Sequence, residues 1–204
     1  MMESLAKTAG GHDVDTRIAT RVRSLRAKSG LSLEALSERA GVSRSMISLI
    51  ERGETSPTAV VLDKLAAGLG VLLSSLFESE TDAVARIRGP LARAKDQPSW
   101  RDPESGYLRR DITPTAAGQP MRIVDVEFPP GARVAFDNAG RDDGVCQQVW
   151  LLEGRMDLRV GRERHRLEPG DCLAMRLDEP VMFHNPGHKR ARYVVVIAST
   201  GSRA

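Results

Sequence analysis

The chain has 204 residues, enough for one large domain or two small ones, and 41% of them are hydrophobic. No apolar run approaches the roughly 18 residues of a membrane-spanning helix, and the first residues lack the apolar centre of a secretory signal. The two cysteines, Cys146 and Cys172, are too few for a disulfide scaffold and fit a reducing compartment. The composition therefore predicts a soluble cytoplasmic protein without a membrane partner.

The charge distribution gives mixed information about binding partners. The net charge is +3, but residues 1–80 contain ten basic and ten acidic residues, so the whole excess lies in the later part of the chain. Five basic residues nevertheless fall within Arg17–Lys28, a local concentration that favours nucleic-acid binding.

Residues 1–15 are small and polar without any period, and we interpret them as a flexible tail. Helical spacing of apolar residues then predicts one helix at 17–29 and a second one ending at Ala40. Gly41 is expected to end the second helix, because only glycine takes a positive φ without steric cost. Ser43 follows at the position where a hydroxyl caps the next helix.

The helix that starts after Ser43 resembles the second helix of a helix-turn-helix. Ile47 and Ile50 form its buried side, Gly53 ends it, and short polar or basic side chains remain on its free side. An ordinary helical hairpin would give the same local pattern. We expect bases to be read by Arg44 and Ser45, with Ser48 and Leu49 at the edge, and phosphates to lie near Ser43, Arg52 and Thr58.

Two more helices are predicted, one with Pro57 in its first turn and one at Val71–Phe77. Residues 16–77, with the motifs Ala40-Gly-Val-Ser43 and Ile50-Glu-Arg-Gly53, resemble the Xre family of DNA-binding domains. The resemblance implies an all-α, lambda-repressor-like domain of five helices that binds a double-stranded DNA operator. It also implies a structural ion pair between Arg26 and Glu51, which would fix the recognition helix against the first helix.

After a polar linker at 78–90, the apolar period changes from about four residues to two. Turn signals such as Pro129-Pro-Gly131 separate short strand-like runs, which predicts a β-sandwich or barrel. The motifs Gln148-Val-Trp-Leu-Leu-Glu-Gly154, Leu167-Glu-Pro-Gly-Asp171 and Phe183-His-Asn185 resemble the skeleton of small cupins. Residues 91–204 are therefore expected to form an all-β cupin (double-stranded β-helix, or jelly-roll) barrel that also supplies a homodimer contact.

The positions at which cupin enzymes bind a metal lack suitable ligands in this chain. The glutamate position falls on Gln147, the last histidine position falls on Val181, and the segment 137–143 contains no histidine, although it contains Asp142 and Asp143. Because an amide and an isopropyl group cannot replace a carboxylate and an imidazole, no metal, cofactor or catalytic residue is predicted. A cupin isomerase or dioxygenase carrying a DNA-binding domain is the alternative, and an antitoxin-like interaction protein is a third.

The alternation of side chains along the strands predicts a pocket for a small organic effector. Residues two apart on a strand share a face, which groups Gln147 with Val149 and Val181 with Phe183. The expected pocket is lined by Phe136, Gln147, Val149, Val181 and Phe183. Simple filling of the barrel is the other interpretation of these side chains. The combined prediction is a bacterial transcription regulator whose cupin domain senses a small molecule without metal.

Overall fold

The computed structural model describes residues 6–77, 90–114, 121–138 and 144–199. The chain forms two compact units, one built from residues 6–77 with 102–104, the other from the remaining described residues. Most of the predicted linker, residues 78–89, lies outside the described residues. The all-α and all-β character predicted for the two parts of the chain is confirmed.

The described part of the helical unit has four α-helices followed by a short 3-10 helix. Its elements are α1 (Ala6–Lys28), α2 (Leu33–Ala40), α3 (Arg44–Glu51), α4 (Ala59–Leu69) and the 3-10 helix (Leu73–Phe77). The fifth predicted helix is thus present, but only as a 3-10 turn. The core is formed by side chains with almost no solvent exposure: Ile18, Val22, Leu36, Ile47, Ile50, Leu62, Leu65 and Leu76.

Helix α1 begins earlier than predicted. Val14 is buried and continues the apolar stripe of Ile18 and Val22 by one more turn, so residues 6–15 are not a tail but part of a helix. Two adjacent glycines, Gly10 and Gly11, are poor helix formers and concealed this periodicity in the sequence. Residues 1–5 of the expected tail lie outside the described residues.

The turn between α2 and α3 follows the prediction closely. Gly41 has φ +60° and donates its N–H to the carbonyl of Ser37 at 2.9 Å, which ends α2. Val42 is buried, and the Ser43 hydroxyl accepts a hydrogen bond from the Met46 N–H at 3.2 Å. Because the cap satisfies an N–H that the helix cannot, it fixes the start of α3.

Helix α4 begins two residues later than Pro57, which was predicted to lie in its first turn. Thr58 is the capping residue, and its hydroxyl accepts the Val61 N–H at 3.4 Å. The buried Asp102 carboxylate, from the part of the helical unit at 102–104, accepts the Ala59 N–H at 2.8 Å. Two side-chain oxygens therefore accept two of the N–H groups at the start of α4 that have no partner within the helix.

Ten strands form two antiparallel sheets in the described part of the second unit. They are β1 (Ser99–Arg101), β2 (Leu108–Asp111), β3 (Met121–Phe128), β4 (Arg133–Phe136), β5 (Val145–Glu153), β6 (Met156–Val160), β7 (Glu163–Leu167), β8 (Cys172–Arg176), β9 (Val181–His184) and β10 (Ala191–Ser199). The strand order is β1-β2-β3-β10-β5-β8 in the larger sheet and β4-β9-β6-β7 in the smaller one.

A chain of six aromatic rings runs through the barrel core, with neighbouring ring centroids between 5.7 and 6.1 Å apart. In order, the rings belong to Trp100, Tyr107, Phe128, Tyr193, Phe183 and Phe136. The step from Tyr193 on β10 to Phe183 on β9 is a stacked pair, and it joins the inner faces of the two sheets.

The Phe183-His-Asn185 motif has a structural role. The Asn185 side chain is completely buried, and its amide donates to the carbonyls of Phe128 at 3.1 Å and Lys189 at 2.9 Å. Its Oδ1 accepts the Gly187 N–H at 2.9 Å. One side chain thus satisfies three backbone groups and fixes the turn between β9 and β10.

Candidate functional site

Helix α3 presents the free face that the sequence predicts. Ile47 and Ile50 are buried, whereas Arg44 and Ser45 are exposed at the first turn of the helix. Ser48 and Leu49, expected at the edge of the face, are half-buried. Met46 is 37% exposed and adds an apolar side chain that the sequence interpretation did not place on this face.

The predicted phosphate-binding residue Arg52 is engaged by its neighbours. Its Nε and Nη2 donate to the Glu54 carboxylate at 2.6 and 2.9 Å, and its Nη1 donates to the Ser48 hydroxyl. The hydrogen bond from Arg52 is the largest influence on Glu54 and lowers the pKa of that carboxyl. Because this pair is exposed, either partner can exchange its contact for a ligand without a large desolvation cost.

The other two predicted phosphate-contacting residues stand at helix N-termini. Ser43 caps α3 and lies 3.2 Å from the Ser45 hydroxyl, while Thr58 caps α4. Anions are favoured at the start of a helix, because free N–H groups and the positive end of the helix dipole meet there. The two hydroxyls therefore serve the fold first, and their positions are also compatible with a DNA backbone nearby.

The predicted pair of Arg26 and Glu51 is present. Arg26 donates to both carboxylate oxygens, at 2.6 and 2.8 Å, and to the Leu31 carbonyl at 2.9 Å. The Glu51 side chain is only 7% exposed, so it does not belong to the free face of α3.

The basic cluster of α1 is largely structural. Arg17 donates to the Phe77 carbonyl at 3.3 Å and Arg21 donates to the Ser75 carbonyl at 3.0 Å, which ties α1 to the 3-10 helix. Together with Arg26, at least three of the five basic residues thus bind the protein itself. Arg23 and Lys28 are exposed, so the cationic surface is smaller than the sequence indicated.

The five residues of the expected pocket lie on the inner faces of the two sheets. Gln147 and Val149 are buried on β5, where they pair in register with Ile197 and Val195 of β10. Phe136 pairs with Val181 across β4 and β9, and its ring lies 5.9 Å from that of Phe183. Phe136, Val181 and Phe183 therefore lie together on the smaller sheet, and Gln147 and Val149 lie together on the larger one.

Three charged side chains on the inner face of the larger sheet were not identified by the sequence analysis. Arg109 and Asp111 are two residues apart on β2, and register pairs them with the buried Val126 and Val124 of β3. Arg122 lies on β3, two residues before Val124 and therefore on the same face of the strand, and donates to Asp111 at 3.2 Å. The signal was the alternation Tyr107-Leu-Arg109-Arg-Asp111, in which the two charged residues share the face of Tyr107.

Both compact units match known families. Residues 22–76 match the helix-turn-helix family model and residues 124–197 match the cupin domain model. The HTH-type transcriptional regulator SutR of Escherichia coli (strain K12) is 27% identical over 86% of this chain and 91% of its own length. Control protein C.MunI of Mycoplasma sp is 36% identical over 32% of this chain and 90% of its own length. A crystal structure of an HTH_3 family transcriptional regulator from Vibrio cholerae aligns with a TM-score of 0.70 at 25% identity, over 92% of this chain and 97% of that one.

This chain belongs to the Xre-type helix-turn-helix regulators. It is a DNA-binding transcriptional regulator with a carboxy-terminal cupin domain. The similarity to SutR and to the Vibrio cholerae structure extends over both units rather than over the helical unit alone. Across residues 6–77, 90–114, 121–138 and 144–199, no helix has the length and apolar character needed to cross a bilayer.

The inner face of this regulator's cupin domain does not fit the transition metal of cupin enzymes. Gln147 and Val181 occupy two of the ligand positions, and both are buried among apolar side chains of the inner faces. Arg122 lies on the same inner face as Gln147, since both pair in register with Ile197 of β10, and its charge repels a divalent cation. The described residues contain no group of three His, Cys, Asp or Glu side chains that could hold a metal, while Asp142 and Asp143 lie outside them.

Proposed function

We propose that this regulator is a cytoplasmic bacterial protein that binds a roughly two-fold DNA operator as a homodimer. We further propose that its cupin domain senses a small organic effector without a resident metal. The observation that carries the DNA-reading part is the free face of α3, where Arg44 and Ser45 are exposed while Ile47 and Ile50 anchor the helix.

In this proposal the DNA-contacting residues divide into two classes. Arg44 and Ser45 read base edges, with Ser48 and Leu49 at the edge of the contact, because an arginine can bond guanine through two hydrogen bonds. Ser43, Arg52 and Thr58 contact phosphates and set the register of the protein on the duplex. The exposed positions of Arg44 and Ser45 and the helix-terminal positions of Ser43 and Thr58 support this division.

The outer face of the larger sheet supports a homodimer. Trp150 on β5 is 47% exposed, and register places it between Cys172 of β8 and Val194 of β10. Together with the exposed Cys172 and the half-buried Val194, Trp150 forms a contiguous apolar patch of the kind that marks interaction surfaces, and a two-fold contact would bury the same patch on both copies. A two-fold protein also suits a DNA site made of two half-sites, since one recognition helix covers few base pairs.

The inner faces support effector binding. Phe136, Val149, Val181 and Phe183 offer apolar surface, and Gln147 offers both a donor and an acceptor. An effector regulates only if it binds the DNA-competent and the incompetent arrangement with different affinity. This protein's own operator affinity, measured with and without the effector, is therefore the functional readout.

The test is a thermal-shift screen of metabolites in the presence of a chelator, using wild type, Gln147→Leu and the matched control Gln148→Leu. Gln148 is exposed on the outer face of the same strand. We expect hits that shift the wild type and the control but not Gln147→Leu, and that change operator affinity. Hits that require an added transition metal would contradict metal-free sensing and favour the enzyme interpretation.

A further inference from the structure

The outer face of the smaller sheet concentrates positive charge. Residues that alternate with it, among them Val134, Leu158 and Phe183, are buried, so the face is directed away from the core. Register places its side chains in two rows that cross β4, β9, β6 and β7 in that order: Arg133, His184, Asp157, Arg166 and Ala135, Met182, Arg159, Arg164. We call these eight residues the arginine face. Its four arginines are exposed and it contains one acid, so its net charge of +3 equals that of the whole chain.

Two arginines of this face repel each other. Arg159 on β6 and Arg164 on β7 lie directly opposite in register, and like charges at opposite positions of antiparallel strands are destabilising. The other cross-strand neighbour of Arg159 is Met182, so their row contains no acid. Charge on β7 protects an edge strand from pairing, but β6 lies inside the sheet and needs no such protection. A bound anion would relieve the repulsion between the two guanidinium groups.

The other charges near this pair leave it largely uncompensated. In the neighbouring row, Asp157 accepts a hydrogen bond from Arg166 at 3.3 Å. In the turn between β6 and β7, the exposed Arg162 offsets the Glu179 carboxylate that lies beside the turn. Glu163 alternates with Arg164 and therefore belongs to the other face of β7. The arginine face thus remains a cationic surface when its surroundings are included.

The helical unit supplies little of the positive charge that binding to DNA uses. Residues 1–80 have equal numbers of basic and acidic residues, and Arg17, Arg21 and Arg26 bind the protein itself. Neutralisation of phosphates by lysine and arginine provides most of the sequence-independent affinity for DNA. A guanidinium also presents two N–H groups that match two phosphate oxygens. The excess charge of this DNA-binding protein therefore lies on its cupin domain.

We propose that the arginine face binds the phosphate backbone of double-stranded DNA without reading its sequence. The cupin domain then adds backbone contacts to the contacts that the helix-turn-helix makes. Because both units belong to one chain, DNA held by the helical unit is present at a high effective concentration for the cupin domain. The occupant is a DNA duplex, and the experiment separates it from an RNA duplex and from a second copy of this chain.

Fluorescence anisotropy of the full-length protein over a salt series tests this with a random-sequence DNA duplex and an RNA duplex of the same sequence. The double variant Arg159→Gln with Arg164→Gln removes two charges, and Arg159→Lys with Arg164→Lys keeps them. The matched control is Arg93→Gln with Lys95→Gln, which removes two exposed charges of the same unit outside both sheets. Circular dichroism verifies folding, and light scattering gives the mass of each free protein.

We expect the double glutamine variant to bind the DNA duplex about tenfold more weakly at about 50 mM salt, with a salt slope smaller by about 1.8, since each phosphate contact contributes about 0.9. The lysine variant should keep most of the slope, and the control should keep both affinity and slope. Unchanged DNA binding in the glutamine variant, or an equal loss in the control, overturns the inference. A loss confined to the RNA duplex, or a changed mass of the free protein with unchanged DNA binding, assigns the face to another occupant and also overturns it.

Discussion

The side chains of Arg26 and Glu51 form a bidentate ion pair between helices α1 and α3, with N–O distances of 2.6 and 2.8 Å. Because Glu51 occupies the last residue of α3, the pair fixes the recognition helix relative to α1. The Arg26 side chain is 18% exposed and that of Glu51 is 7% exposed, so water compensates either group only in part if its partner is removed.

We therefore expect Glu51→Leu to destabilise the helical unit by about 3 kcal/mol, because it leaves the Arg26 charge partly buried without its carboxylate. Urea unfolding followed by far-ultraviolet circular dichroism measures the loss. Glu54→Gln, which removes an exposed carboxylate, is the matched control and should leave the unfolding midpoint unchanged. A double variant, Arg26→Met with Glu51→Leu, should recover part of the loss. A Glu51→Leu protein as stable as the wild type would show that the pair is not a structural clamp.

The Arg52–Glu54 pair gives a prediction about DNA affinity. Glu54→Gln should release Arg52 toward phosphate and raise operator affinity by about threefold at low salt, with the gain shrinking as salt rises. Fluorescence anisotropy over a salt series measures this. Glu38→Gln is the matched control, because it removes the same charge from an exposed carboxylate of α2. An equal gain in Glu38→Gln would attribute the effect to net charge rather than to Arg52.

Asp125 makes the stability of the barrel depend on pH in the acidic range. Burial disfavours its charged form, but hydrogen bonds from Arg192 and Arg110 outweigh burial, so the pKa of Asp125 is lowered. A carboxyl whose pKa is lower in the folded state stabilises the fold above its unfolded pKa of about 3.9. That contribution is lost as pH falls through the lower folded pKa. The barrel should therefore lose stability below about pH 4.

Asp125→Asn should remove this contribution, costing about 1–2 kcal/mol near pH 7, because both arginines are 36% exposed and retain some hydration. It should also flatten the loss of stability in acid. Tryptophan fluorescence during thermal unfolding reports the barrel, since Trp100 and Trp150 both belong to that unit. Asp178→Asn, at an exposed ion pair with Arg176, is the control. Equal acid sensitivity in wild type and Asp125→Asn would contradict the assignment.

Trp150 gives a prediction about assembly. Trp150→Glu should weaken the homodimer by about 100-fold or more, because aromatic residues at the centre of an interface contribute roughly 2–4 kcal/mol. Light scattering coupled to size-exclusion chromatography measures the mass. Leu91→Glu, which places the same charge at a position that is 64% exposed and outside the strands, should remain dimeric. A wild type that is monomeric at micromolar concentration would contradict the dimer itself.

The helix-turn-helix was predictable because its signals are local. A capping serine, a glycine at positive φ and apolar residues three apart specify α2, the turn and α3 within twenty residues of sequence. The start of α1 and the role of its arginines were not predictable in this way. Arg17 and Arg21 bind carbonyls that lie more than fifty positions away, so their function depends on tertiary packing.

In the barrel, the alternation of buried and exposed residues correctly assigned Gln147 and Val149 to the inner face. The same rule gave no prediction for Arg109, because alternation identifies inner positions by their apolar side chains. Only the pairing of β2 with β1 and β3 shows that Arg109 lies on the inner face of the sheet. Charged groups on an inner face are the residues that this kind of sequence reasoning misses.

The division of α3 into base-reading and phosphate-binding residues is tested most directly by binding to an operator selected from a random DNA library. Affinities of wild type, Arg44→Ala and Arg52→Ala are measured for the selected site, for all its single-base variants and over a salt series. We predict a two-fold site, a loss of about 1–3 kcal/mol of discrimination at specific base pairs for Arg44→Ala, and a uniform loss with a shallower salt dependence for Arg52→Ala. An identical, uniform loss in both variants, or no enriched two-fold sequence, would contradict the account.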